Sequence, residues 1–83
     1  EEETIVVFNV GGRFYAIADV CTHDGGPLGD GELDGYEVEC PRHGARFDIR
    51  DGSVTQLPAV VPVPWYRTMV EGDDLFVESP DVW

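Results

Sequence analysis

Four side chains in this sequence could together hold a metal, and they come in two pairs. Cys21-Thr22-His23 is a C-x-H pair and Cys40-Pro41-Arg42-His43 is a C-x2-H pair. They account for every cysteine and histidine in the 83 residues. Sixteen residues lie between the pairs. Random placement would put each cysteine within three residues ahead of its own histidine roughly a few times in a thousand. Alone, the cysteines would read as buried hydrophobes or one disulfide, and the histidines as ordinary surface or core residues. As a set they read as ligands, because thiolate and imidazole donors suit zinc, copper and iron. Two sites remain open on the residues alone. One is a two-iron two-sulfur centre in which two histidines replace two cysteines on one iron. The other is a tetrahedral Cys2His2 zinc site that staples the fold. The order Cys, His, Cys, His departs from the Cys, Cys, His, His order of zinc fingers.

Such ligands need elements that bring both pairs to one end of the fold. The pattern is β throughout, and no window carries a helical repeat of apolar residues. Thr4 to Val10 and Arg13 to Ile17 flank Gly11-Gly12 as a hairpin. Asp34-Gly35 is a turn signal between Leu33 and the alternating run Tyr36 to Glu39. Ala45 to Arg50 alternates with Phe47 and Ile49 inward, and Asp51-Gly52 turns into Ser53 to Thr55. Trp65 to Val70 and Leu75 to Val77 flank residues 71–74 as a last hairpin. A hairpin between the two Cys/His pairs would place them side by side. Short strands punctuated by ten glycines and six prolines predict an all-β fold, a small antiparallel sandwich or barrel. Two stretches do not read as strands: about residues 20–31, rich in glycine, and about 56–64, with Pro58, Pro62 and Pro64. Loops that long in a small fold are usually functional or disordered.

Length and charge narrow the function. The chain suffices for one small domain, residues 1–83, whose stability is marginal without a staple. Two cysteines exclude a dense disulfide framework. Seventeen acidic residues stand against five arginines and no lysine, for a net charge of -12. Nucleic acid and anionic membranes, which call for clustered Lys and Arg, are disfavoured as partners. The acidity suits solubility or steering towards basic protein partners. No stretch of some 18 apolar residues could span a membrane. No secretory signal opens the sequence, although it begins at Glu1 rather than Met; a cytoplasmic location is the expectation.

Cys21-Thr22-His23, the sixteen-residue spacer and Cys40-Pro41-Arg42-His43-Gly44 closely resemble the paired motif of Rieske proteins. Ala45-Arg46-Phe47-Asp48, Asp51-Gly52 and Leu57-Pro58-Ala59-Val60-Val61-Pro62 extend the resemblance from about Phe8 to Glu78. It implies a Rieske-type fold with a cluster-binding subdomain: ligand loops at about 20–31 and 40–48, and a proline loop at about 56–64 that covers the cluster. It implies one two-iron two-sulfur cluster, held by Cys21, His23, Cys40 and His43. There is no spare cysteine for the loop disulfide of the high-potential members. The positions matching their serine and tyrosine donors are Ala45 and Phe47, which cannot donate to sulfur. The expected potential therefore lies towards the low end of the roughly -150 to +300 mV Rieske range. That pattern is similar to the ferredoxins serving ring-hydroxylating dioxygenases, and to nitrite reductase small subunits. One departure is that family members carry a further strand segment ahead of the stretch matching Thr4.

The expected function is one-electron transfer from a reductase to a terminal oxygenase or another redox enzyme. An enzyme in its own right is not expected. A Rieske oxygenase also needs a mononuclear iron site with two more histidines. The alternatives are a structural or regulatory small subunit of a larger redox complex, or a zinc-stapled Cys2His2 module. Gly25, Gly26, Pro27 and Gly44 are expected to shape the ligand loops, and Leu28 to shield the cluster. Arg42 and Arg46 either meet a partner or balance neighbouring carboxylates. Phe8, Phe14, Tyr15, Trp65, Tyr66 and Phe76 read as core or sheet surface.

Overall fold

The computed structural model describes residues 4–22 and 25–78. Among them there is no helix, and eight strands form two antiparallel four-stranded sheets. The first sheet has the order β1-β2-β7-β8, with β1 Ile5–Val10, β2 Arg13–Ala18, β7 Trp65–Glu71 and β8 Asp74–Glu78. The second runs in sequence order: β3 Glu32–Asp34, β4 Glu37–Glu39, β5 Arg46–Asp48 and β6 Val54–Gln56. The expected all-β antiparallel architecture is therefore present.

Turn chemistry fixes the registers. Val10 faces Arg13 across the two-residue loop Gly11-Gly12, and Glu71 faces Asp74 across Gly72-Asp73. In the second sheet Asp34 pairs with Glu37, so the turn is Gly35-Tyr36 rather than Asp34-Gly35. Tyr36 thereby leaves the strand it was expected to open. Its ring meets Tyr15 of β2 edge-on at 5.7 Å and lies 4.1 Å beneath the Arg50 guanidinium, joining the two sheets. β5 is also shorter than the alternation of Ala45 to Arg50 suggests. Asp48 N donates to Ser53 O and Gly52 N donates to Asp48 O, which pulls the chain into a turn after Asp48. Phe47 and Ile49 still point inward, as their alternation requires.

The core draws on both sheets and the loops between them. Ile17 of β2, Val38 of β4 and Phe47 of β5 pack with Leu28, Ile49, Ala59 and Val63, which come from non-strand segments. Cys21 and Cys40 belong to the same packed cluster. Leu28 is fully buried, as its expected shielding role requires. Tyr66 is buried, Phe8, Phe14 and Tyr15 are half-buried, and Trp65 and Phe76 lie on the sheet surface. The β7–β8 hairpin adds little else to the core and leaves Met69, Val70, Leu75, Phe76 and Val77 exposed. No helix among the described residues is long and apolar enough to cross a membrane.

Candidate metal centre

The two cysteines sit in loops of the same backbone design. Cys21 N donates to Gly26 O at 2.7 Å, while Gly25 N donates back to Cys21 O at 2.7 Å. Cys40 N donates to Ala45 O at 2.7 Å, while Gly44 N donates back to Cys40 O at 3.1 Å. Each loop is thus a six-residue frame with cysteine first and a glycine fifth. The fifth residue must turn back with positive φ, +78° at Gly25 and +81° at Gly44, a conformation that side chains with a Cβ rarely adopt. This gives Gly25 and Gly44 the loop-shaping role expected of them. The histidines fall at the third place in one frame and the fourth in the other, matching the C-x-H and C-x2-H spacings.

Each frame is held at its base. The Cys40 frame closes the β4–β5 hairpin, whose register pairs Glu39 with Arg46. The Cys21 frame is closed by Asp19, whose Oδ1 accepts from Leu28 N at 2.8 Å and Gly29 N at 2.7 Å. Sequence reasoning did not single out Asp19; its signal is an Asp opening a glycine-rich loop, where a short carboxylate satisfies backbone N–H groups.

Cys21 is 0 % exposed and Cys40 1 %, and neither is in a disulfide. Two buried thiols at matching positions of twin loops, within one apolar cluster, are the donor chemistry an iron–sulfur centre requires. They supply soft anionic ligands in a water-poor shell. His43 follows in the second frame and is exposed. His23 lies outside the described residues. Among the described residues no group of three or more His, Cys, Asp or Glu side chains is arranged to hold a metal ion. The structure thus brings Cys21 and Cys40 into one cluster and leaves His43 at the surface of the second loop.

The arginines divide. Arg46 Nη2 pairs with Glu39 at 3.0 Å, and its Nη1 lies 3.3 Å from Glu37 and 3.6 Å from Asp34. Those hydrogen bonds hold its pKa above the ordinary arginine value, and its role is charge balance within the second sheet. Arg42 is exposed beside His43. Two further residues contact the loops without having been expected to: Thr22 Oγ1 donates to Val61 O, and Gln56 Nε2 donates to Gly44 O.

The family model for the Rieske [2Fe-2S] domain matches residues 1–67. The chain is 45% identical over 78 residues to the 3-phenylpropionate/cinnamic acid dioxygenase ferredoxin subunit of Shigella boydii serotype 4, covering 93% of this chain and 74% of that protein. Its fold is similar to the ferredoxin of carbazole 1,9a-dioxygenase from Nocardioides aromaticivorans IC177, with TM-score 0.86, 39% identity, and coverage of 88% and 72% of the two chains. It is also similar to a chain in the complex of reduced oxygenase and oxidized ferredoxin of carbazole 1,9a-dioxygenase, with TM-score 0.84, 32% identity, and coverage of 94% and 91%.

Proposed function

The chain belongs to the Rieske [2Fe-2S] domain family, and from that premise we propose that Cys21, His23, Cys40 and His43 are its cluster ligands and that it delivers single electrons to the oxygenase of a ring-hydroxylating dioxygenase system. Membership implies one two-iron two-sulfur cluster and a part in electron transfer rather than turnover. The observation that carries the ligand assignment is the pair of twin loops, each opening on a buried cysteine outside any disulfide. When bound, the cluster supplies a one-electron couple whose imidazole ligands place it above all-cysteine ferredoxins in potential.

The rest is the work of the chain. Cys21 and Cys40 supply thiolates from the buried side. His43 stands on the exposed side of its loop, where a partner can approach. Val38, Ala45, Phe47 and Leu28 keep water from the inner side. Ala45 and Phe47 are buried and carry no side-chain donor, which favours a low potential. An electron supplied by a reductase would leave for the oxygenase by the same histidine edge. The reading takes residues 1–83 as one domain, supported by a core that joins residues of both sheets, and places the protein in the cytoplasm.

Low-temperature electron paramagnetic resonance of the dithionite-reduced protein tests the assignment. A rhombic signal with average g below that of all-cysteine ferredoxins is expected, lost in Cys40→Ala and altered in His43→Cys. An unchanged spectrum in His43→Cys would remove His43 from the ligand set.

A further inference from the structure

The loop of residues 57–64 is tied to one candidate ligand loop at Val61, and its entry, at Gln56 of β6, is tied to the other. Thr22, inside the C-x-H pair, donates Oγ1 to Val61 O at 2.5 Å. Gln56 donates Nε2 to Gly44 O at 3.0 Å, next to His43. Neither contact is an accident of neighbouring sequence, since they bridge 39 and 12 positions. The second depends on an irregularity in the sheet. Arg46 pairs with Gln56 but Phe47 pairs with Val54, so β6 carries one extra residue there. A bulge of that kind re-aims the side chains beside it. The far end of the loop is anchored independently. Val63 N donates to Gly52 O, and the two backbones run so close that a Cβ on Gly52 would fall 1.9 Å from Val63 O.

Between these anchors the loop does something unusual for apolar residues. Ala59 and Val63 are buried, yet Leu57, Val60 and Val61 are 70, 76 and 54% exposed. They are the three most exposed of the large hydrophobic residues in the described chain apart from Val70 at 55%. Prolines 58, 62 and 64 restrict the loop further and remove its own N–H donors. The Thr22 hydroxyl therefore holds the middle of the loop at Val61 O, while Gln56 holds its entry beside Gly44.

We propose that Thr22 and Gln56 are paired positioning residues. They clip the 57–64 loop to the two ligand loops, so that it excludes water from the cluster and presents Val60 and Val61 as a fixed apolar rim at the electron-transfer edge. The proposal rests on the ligand assignment above. Its distinguishing consequence is coupling. Each clip secures the same loop, so release of either one exposes the site, and release of the second adds less than the first.

The test compares holoprotein carrying Thr22→Val, Gln56→Met, both together, and Thr22→Ser, which keeps the hydroxyl. Three quantities are read: amide hydrogen exchange over residues 59–61, bleaching of the visible absorption by a chelator, and the reduction potential. A hydrogen bond of this kind is worth a factor of roughly two to ten. Thr22→Val and Gln56→Met should each speed exchange and bleaching by about that factor, the double variant by less than the product, and Thr22→Ser should behave as wild type. The potential should rise in both single variants, because water stabilises the reduced, more negatively charged state. Equal rates and potentials in all four proteins would overturn the proposal. So would strictly multiplicative effects, which would mean that each residue serves only its own ligand loop. Iron and sulfide content of the wild type separates the two levels. A wild type without cluster ends the ligand assignment, whereas a loaded wild type with unaffected variants ends only the clip.

Discussion

Asp19 illustrates how one side chain sets the loop that carries Cys21, a proposed ligand. A single carboxylate oxygen accepts from two backbone N–H groups, those of Leu28 and Gly29, and so closes a ten-residue excursion that contains Cys21. Bonds to a charged acceptor contribute more than neutral ones. Asp19→Ala leaves both N–H groups without this acceptor and should destabilise the holoprotein by about 2 kcal/mol, with Asp19→Asn between it and wild type. Denaturant midpoints of the three proteins check this order. A second residue, Ala45, bears on the potential. It is buried, and its carbonyl accepts from Cys40 N, so its side chain belongs to the residue that closes the Cys40 frame. Ala45→Ser introduces an O–H donor where the chain has none. A hydrogen bond to sulfur of about 1 kcal/mol favouring the reduced state would raise a one-electron potential by roughly 40 mV. Protein-film voltammetry reads that shift directly, and a potential equal to or below wild type would contradict the assignment of low potential to missing donors.

At the scale of elements, the turn after β5 carries a pH-dependent tie. Asp48 takes a bidentate pair from Arg50, with Oδ1 3.0 Å from Nε and Oδ2 2.7 Å from Nη2, and Arg50 in turn lies over Tyr36. The Arg50 hydrogen bond holds the Asp48 carboxyl below the usual carboxylate range. A carboxylate lowered in the folded state contributes stability above its unfolded pKa, about 3.9, and loses it as pH falls through the folded value. Asp48→Asn should therefore be less stable than wild type at neutral pH, and the gap should close as pH drops below about 4. Urea unfolding at pH 7 and below pH 4 measures it, and a constant gap would refute the linkage. This turn also marks where sequence legibility stops. The alternation of Phe47 and Ile49 was readable because both side chains face the core, and the two Cys/His pairs were readable because their spacing is chemical. The end of β5 was not. It is decided by Asp48 bonding to Ser53 and Gly52, contacts that the apolar period cannot express. Likewise the shift from Asp34-Gly35 to Gly35-Tyr36 follows from where Tyr36 finds Tyr15 and Arg50, partners distant in sequence. Thr22, Gln56 and Asp19 stayed hidden for the same reason: their acceptors and donors lie in loops whose approach no local pattern reports.

For the molecule as a whole, Cys21 and Cys40 are core residues, and as the proposed cluster ligands they would couple cofactor to fold. The described core is thin: the chain extends 38 × 30 × 18 Å, and β7–β8 leaves most of its apolar side chains outside. Cys21 and Cys40 belong to the same packed cluster as Leu28, Ala45 and Phe47. A group that bonds both would convert its binding free energy into folding free energy. The charge acts in the opposite sense. A net charge of -12 drives the compact state apart, and two ferric ions, two sulfides and two thiolates sum to zero, so loading the oxidised cluster leaves that repulsion unchanged. The apo form must then resist the same repulsion without the staple. Each kcal/mol moves the melting midpoint of a domain this size by roughly 4–8 °C, so the apo protein should melt at least about 10 °C below the oxidised holoprotein at low salt. Salt should raise the apo midpoint by screening, since the Debye length shrinks from about 30 Å at 0.01 M to about 8 Å at 0.15 M. Differential scanning calorimetry of both forms across that range separates the two effects. A difference that vanishes in 0.15 M salt would assign the instability to charge alone, whereas one that persists identifies the cluster as the staple that holds the Cys21 and Cys40 loops to a core too small to hold them unaided.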